Sequence, residues 1–353
     1  FSFIVVSPLI FLEQLQLSSY EFSLTLLLYG AAYVIGGVVA GVLNKYLEPG
    51  TQIITGLCLI FLAGLVMLLL ASQFGLSIST VLVPMIICTA GTTITRPAAT
   101  CISLSPLAGT LLQSLMGWPG SFYVFSAIAV LVFLKALATL ENPPIVRSGP
   151  RTGILQAYRR VCSNFSFVAY WLISAIVFAC HFSFIVVSPL IFLEQLQLSS
   201  YEFSLTLLLY GAAYVIGGVV AGVLNKYLEP GTQIITGLCL IFLAGLVMLL
   251  LASQFGLSIS TVLVPMIICT AGTTITRPAA TSRAMELFPD NAGASASAGN
   301  TLIFVMGGLI SAVINLSASD LQTTLALSFI ALSSVGLLVN QRISRRARNL
   351  RLA

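Results

Sequence analysis

Charge is what this sequence has least of. Asp, Glu, Lys and Arg make up 7% of 353 residues, against about 25% in an ordinary soluble domain, which excludes a water-exposed globular fold. None of the ten acidic residues falls inside a long apolar run. An intramembrane hydrolase needs acidic or metal-binding side chains within its spans, so that reading is very weak. No nucleophile beside a base, carboxylate pair, metal cluster or phosphate loop is present, so neither enzyme activity nor a cofactor or metal is expected. The seven cysteines, Cys58, Cys88, Cys101, Cys162, Cys180, Cys239 and Cys269, have no CxxC spacing and read as small hydrophobes rather than as a disulfide or metal framework.

What is abundant is apolar sequence, 58% of the chain. A helix needs about 20 apolar residues to cross roughly 30 Å of hydrocarbon. Runs near that length occur at about 23–44, 51–71, 77–95, 98–117 and 121–140, then at about 166–193, 204–225, 232–252, 258–276, 292–316 and 322–340. That predicts eleven spans and part of a twelfth. Phe1 to Leu12 matches only the second part of the run at 166–193 and opens on Phe, which reads as a truncated N-terminus without the order of a signal peptide.

Reversing direction at each span puts the connectors on two sides. Lys45, Arg96, Lys135, Arg147, Arg151, Arg159, Arg160, Lys226, Arg277, Arg283 and the five arginines from Arg342 to Arg351 then fall on, or within a short snorkel of, one side. Glu13, Glu21, Glu194, Glu202 and Asp320 occupy the other, which holds no Lys or Arg. Basic residues collect on the cytosolic side, so the central connector and the C-terminus are expected there. The net charge of +5 is a topology signal. The segment RRARNLR beside the last span follows from the same rule, and no nucleic-acid partner is expected.

The chain also repeats itself. Residues 1–100 return letter for letter at 182–281, an offset of 181, and diverge at Cys101 against Ser282. Repeats held by packing preserve pattern rather than every letter, so this identity indicates a recent duplication, a fusion or a faulty assembly. The predicted organisation is an N-terminal helix bundle at 1–140, a cytosolic linker at 141–165, a C-terminal helix bundle at 166–341 and a basic cytosolic tail at 342–353. The linker opens on ENPP, which stops a helix, and its LQAYRRV portion suits a short interfacial helix. Six spans on each side of a cytosolic middle, in halves related by an axis along the membrane normal, predict an all-α polytopic membrane protein with the major facilitator plan of two six-helix bundles, the first helix truncated.

Three stretches carry a resemblance: SPLIFLEQLQLSSYEFS at 188–204, SRAMELFPDNAGASASAGN at 282–300 and SPLAGTLLQSLMGW at 105–118. In order across 101–353 the chain resembles the drug-resistance efflux transporters of the Bcr/CflA (bicyclomycin/chloramphenicol resistance) type. That resemblance implies efflux of small amphipathic compounds across a bacterial inner membrane by proton antiport, and a fifth span in which Pro106 with Gly109 bends the helix, Thr110 standing at the last position of the family's Pro-x-x-Gly-Gly core. The first copy departs from the family. Its GVLNKYLEPG loop has Asn44 and Lys45 where the family has Asp-Arg, and spans seven to ten stand where native spans one to four belong.

Candidate residues follow from the spans. His181 lies in mid-span in FACHFSF, where an ionisable side chain marks a functional site by default, and imidazole exchanges a proton near neutral pH. It is the proton-coupling candidate, although a neutral histidine bonded to a neighbouring helix is the alternative. Tyr170, Trp171, Tyr210, Asn300 and Phe304 supply aromatic walls and polar tips suited to an amphipathic compound, though core packing accounts for each aromatic too. Gly217, Gly218 and Gly222, like Gly36, Gly37 and Gly41 in the first copy, suit close helix approach. Two further readings remain: a duplication product that does not transport, and solute uptake on the same fold. The expected partners are the lipid bilayer, protons and a small amphipathic substrate. A fluorescent protein fused after Ala353 is expected to fluoresce in cells, and alkaline phosphatase there to be inactive; the reverse pattern would invert the topology.

Overall fold

The computed structural model describes residues 49–95, 154–316 and 320–352, with scattered positions in 10–39 and 127–134. Pro106, Gly109, Thr110, Gly37 and Gly41 lie outside the described residues. The described helices are α1 (Pro49–Phe74), α2 (Ile78–Thr95), α3 (Ile154–Cys162), α4 (Phe165–Pro189), α5 (Ser200–Leu224), α6 (Pro230–Phe255), α7 (Ile259–Glu286), α8 (Ala292–Leu316) and α9 (Leu321–Leu352). Six of them, α4 to α9, are long and apolar enough to cross a membrane. The short helix α3 carries the expected amphipathic pattern, with Ala157 and Val161 buried and Arg159 and Arg160 exposed. Helix α9 continues without a break through the basic residues from Arg342 onward.

Contacts within α4 to α9 follow a pattern. Helix α4 packs on α8, and α5 on α7; α4 packs on α9, and α6 on α7; α4 meets α7, and α6 meets α9. Exchanging α4 with α7, α5 with α8 and α6 with α9 leaves this set unchanged. It is the signature of two three-helix units nested in one six-helix half. The leading helix of each unit lies at the centre: 94% of the α4 window and 67% of the α7 window are buried, against 28–39% for the others.

Small residues set the closest crossings. A Cβ added to Gly237 of α6 or to Gly272 of α7 would lie 2.5 Å from the other glycine's carbonyl oxygen. One added to Gly245 would lie 2.8 Å from the Ala326 carbonyl on α9. Without a hydrophobic driving force between helices in lipid, such approach and interhelical hydrogen bonds hold the bundle. Helix α4 is pegged this way to its neighbours by Ser174 with Thr281 of α7 (3.2 Å) and Ser183 with Ser311 of α8 (3.3 Å).

Proline inside a span frees the carbonyl four residues earlier, and in lipid something else must bond it. Pro189 frees the Ile185 carbonyl, which accepts from the Ser188 hydroxyl at 3.0 Å. Pro265 in α7 frees the Thr261 carbonyl, which accepts from Gln322 Nε2 of α9 at 3.1 Å. Gln322 is 4% exposed; its burial is explained by that bond. After Pro189 the chain forms a π-helical turn at Leu190–Gln195 and leaves through Gln197, at φ 54°.

Identical letters adopt identical local structure. Helices α1 and α6 have the same sequence and the same extent, offset by 181. Gly75 and Gly256 end them at φ 69° and 68°, left-handed backbone that favours glycine. Ser77 and Ser258 each receive the same capping bonds from the threonine three residues on. Even the exit turn recurs, with Leu15 N–H donating to the Ile10 carbonyl as Leu196 N–H donates to Ile191, both at 2.9 Å. Helices α1 and α2 also cross as α6 and α7 do, a Cβ on Gly91 lying 2.7 Å from the Gly56 carbonyl.

The crossing and the proline carbonyl make separate demands. Gly272→Leu is expected to lower stability by about 1–3 kcal/mol through overpacking, and Gln322→Leu by about 0.6–1.7 kcal/mol. Gly218→Ala, where no atom lies within 4 Å of the added Cβ, is expected to stay within about 0.5 kcal/mol. Unfolding of the detergent-solubilised protein checks all three.

Candidate functional site

Helix α4 presents His181 near its midpoint, 5% exposed. The Tyr210 hydroxyl of α5 shares a hydrogen bond with His181 Nδ1, and the two rings stack with centroids 5.4 Å apart. Tyr214, one turn further along α5, places its ring 5.2 Å from the imidazole. Phe184 covers Tyr210 at 4.9 Å. Nδ1 is thus engaged, an arrangement in which the partner of one ring nitrogen sets the tautomer of the ring.

A second aromatic layer lies one turn below. Phe178 stacks on Phe182 at 5.3 Å and meets Phe304 of α8 edge to face at 5.3 Å. Gly307 makes room for it, since a Cβ there would lie 2.9 Å from the Phe178 ring. Over the Phe178 ring sits the guanidinium of Arg277 from α7, 5.2 Å from the centroid. The charge counts in the topology reading placed Arg277 on, or within a short snorkel of, the cytosolic side; in the bundle its head lies over the buried Phe178 ring. Sequence reasoning missed it as a site residue. A signal was available: Thr270, Thr273, Thr274, Arg277 and Thr281 recur at spacings of three and four, which places them on adjoining faces of one helix.

The remaining candidates lie elsewhere. Trp171 is ten residues, or about 15 Å of helix, from His181. Its ring lies against Gly299 of α8 and 6.3 Å from that of Phe167, and its indole N–H has no partner among the described residues. Tyr170 beside it is half-buried and Asn300 on α8 is exposed. Of the glycines, Gly217 touches α7, a Cβ there lying 2.6 Å from Thr274 Oγ1, whereas Gly218 and Gly222 face open space. Gly217 also lines a groove of about 380 Å³ between α5 and α7 that includes Leu209, Ile216, Ile267 and Ile275 and offers no polar side chain to orient a ligand.

Comparison with known proteins follows the same lines. Residues 98–312 match the family model described as Major Facilitator Superfamily. Multidrug resistance protein D of Escherichia coli (strain K12) is 29% identical over 238 residues, covering 67% of this chain and 58% of that protein. The chain thus spans less than two thirds of that relative's length. Two crystal structures are similar in fold. FucP, described as a major facilitator transporter in the outward conformation, superposes with a TM-score of 0.65 at 15% identity, over 88% of this chain and 89% of its own. A variant of the E. coli fucose:proton symporter FucP gives 0.65 at 16%, over 96% of each. At such identity the likeness shows the fold alone.

Tyr210→Phe removes the hydroxyl bonded to His181. It is expected to cost about 0.6–1.7 kcal/mol, the range for hydrogen bonds between membrane helices, and a His181→Phe/Tyr210→Phe double variant to recover part of that loss. Additive losses in unfolding titrations would show that the two side chains are not coupled.

Proposed function

This chain belongs to the Major Facilitator Superfamily, and from that premise we propose that it exports small amphipathic compounds across a bacterial inner membrane by proton antiport, on the plan of the Bcr/CflA-type transporters its sequence resembles. The observation that carries this reading is the mid-span His181, bonded to Tyr210 and enclosed by the rings of Tyr214 and Phe184. Proton coupling needs a group that titrates during the cycle, and His181 is the only histidine of the chain. The aromatic layer of Phe178, Phe182 and Phe304 supports an apolar body lying beside it. Similarity to a multidrug resistance protein agrees with this cargo class.

In this reading residues 1–140 and 166–341 are the two bundles that rock about the site, 141–165 joins them on the cytosolic side, and the C-terminal tail is cytosolic. A second reading, a duplication product that does not transport, is favoured by one observation: the identity of 1–100 with 182–281. The same surfaces that α6 and α7 present to α9 and α4 would then have to serve beside a different partner, which close packing tolerates poorly.

The test uses the full chain in everted membrane vesicles. A transported amphiphile is expected to release part of a respiration-driven proton gradient, and His181→Gln to lower that response at least tenfold while substrate counterflow persists. Undiminished proton release in His181→Gln would remove the coupling role. Absence of both gradient response and counterflow in the wild type, across a panel of aromatic amphiphiles, would favour the second reading.

A further inference from the structure

Among the described residues Arg277 has no counter-charge. Its guanidinium, a group that keeps its charge in proteins, lies over Phe178, thirteen residues or about 20 Å of helix inward from the start of α4. Bare charge at such depth is costly and is ordinarily paired. The chain has ten acidic residues and none lies inside an apolar run. On the described spans Glu194, Glu202 and Glu286 occupy terminal turns, and Glu286 pairs with Arg283 at 3.4 Å. Facing Arg277 is Phe178 of α4, with Phe304 of α8 on the far edge of Phe178, and neither is an anion. A cation–π contact contributes about 0.5–2 kcal/mol and leaves the hydrogen-bonding edge of the guanidinium without a partner among the described residues.

We propose that Arg277 receives an anionic head, a carboxylate, sulfonate or phosphate, on an aromatic or otherwise apolar compound whose body lies against Phe178 and Phe304. The planar fork of arginine bonds such oxyanions through two parallel N–H donors. The aromatic layer beside it supplies the apolar contact that inorganic anions cannot use. This rests on the transport reading above and narrows its cargo to anionic amphiphiles.

Equilibrium binding to the purified full-length protein in neutral detergent tests it, with 2-naphthoate and the uncharged 2-naphthamide as a matched pair. The wild type is expected to bind naphthoate about tenfold more tightly than naphthamide. Arg277→Gln is expected to bring that ratio to about one without changing naphthamide binding, and Arg277→Lys to keep part of the preference. Phe178→Leu is expected to weaken both compounds alike. A ratio near one in the wild type, or an unchanged ratio in Arg277→Gln, overturns the proposal. Where Arg277→Gln does not fold, an unchanged ratio in Arg277→Lys does so. Displacement of naphthoate by dihexanoylphosphatidate at equal potency supports the anion site and makes its occupant a phospholipid headgroup. Counterflow in proteoliposomes separates the two readings. Charge-selective binding without counterflow removes transport and keeps the anion site. Counterflow of both compounds at equal rate removes the anion site and keeps transport.

Discussion

Hydrocarbon accepts no hydrogen bonds, so every backbone group placed in the membrane must find a partner inside the protein. The bundle is arranged around that demand. Helices satisfy most groups internally, and the exceptions are the informative places. Where Pro189 and Pro265 open the ladder, Ser188 and Gln322 close it, and the second repair ties α9 to the interior of α7. Helix starts at Ser199 and Ser258 are closed by their own capping bonds. A buried glutamine and several mid-span serines, which look anomalous in so apolar a chain, are consequences of this constraint.

The same constraint explains why the site lies where it does. Helices α4 and α7 are the leading members of two equivalent three-helix units and sit at the centre of the half. Polar side chains there meet protein rather than lipid. His181 is bonded to Tyr210, Ser174 to Thr281 and Ser183 to Ser311. Arg277 is the charged side chain left over there, since no acid among the described residues is paired with it.

The duplication separates local from tertiary determination with unusual clarity. Helices α1 and α6, their glycine ends and the serine caps that follow recur without change, as does the glycine crossing of each hairpin. Surroundings differ: Gly245 is buried against Ala326 of α9, whereas its counterpart Gly64 is half-buried. Identical letters therefore yield identical hairpins, and burial of their outer faces depends on what stands beside them.

Composition, run lengths and the one-sided placement of Lys and Arg were enough by themselves to indicate a helical membrane protein, the positions though not the ends of the six spans in the second half, the short helix within the linker and the family plan. These properties rest on bilayer thickness and backbone satisfaction, which act on each segment alone. His181 and Tyr210 were legible as candidates because each stands out within its own span. Their pairing was not, nor the separation of Trp171 and Asn300 from them, nor the inward turn of Arg277. Those depend on which face each helix turns toward the centre, and in a segment that is apolar all round, no periodicity records that face. Close crossings at Gly237, Gly245 and Gly272 select it, and only the assembled bundle brings those crossings together.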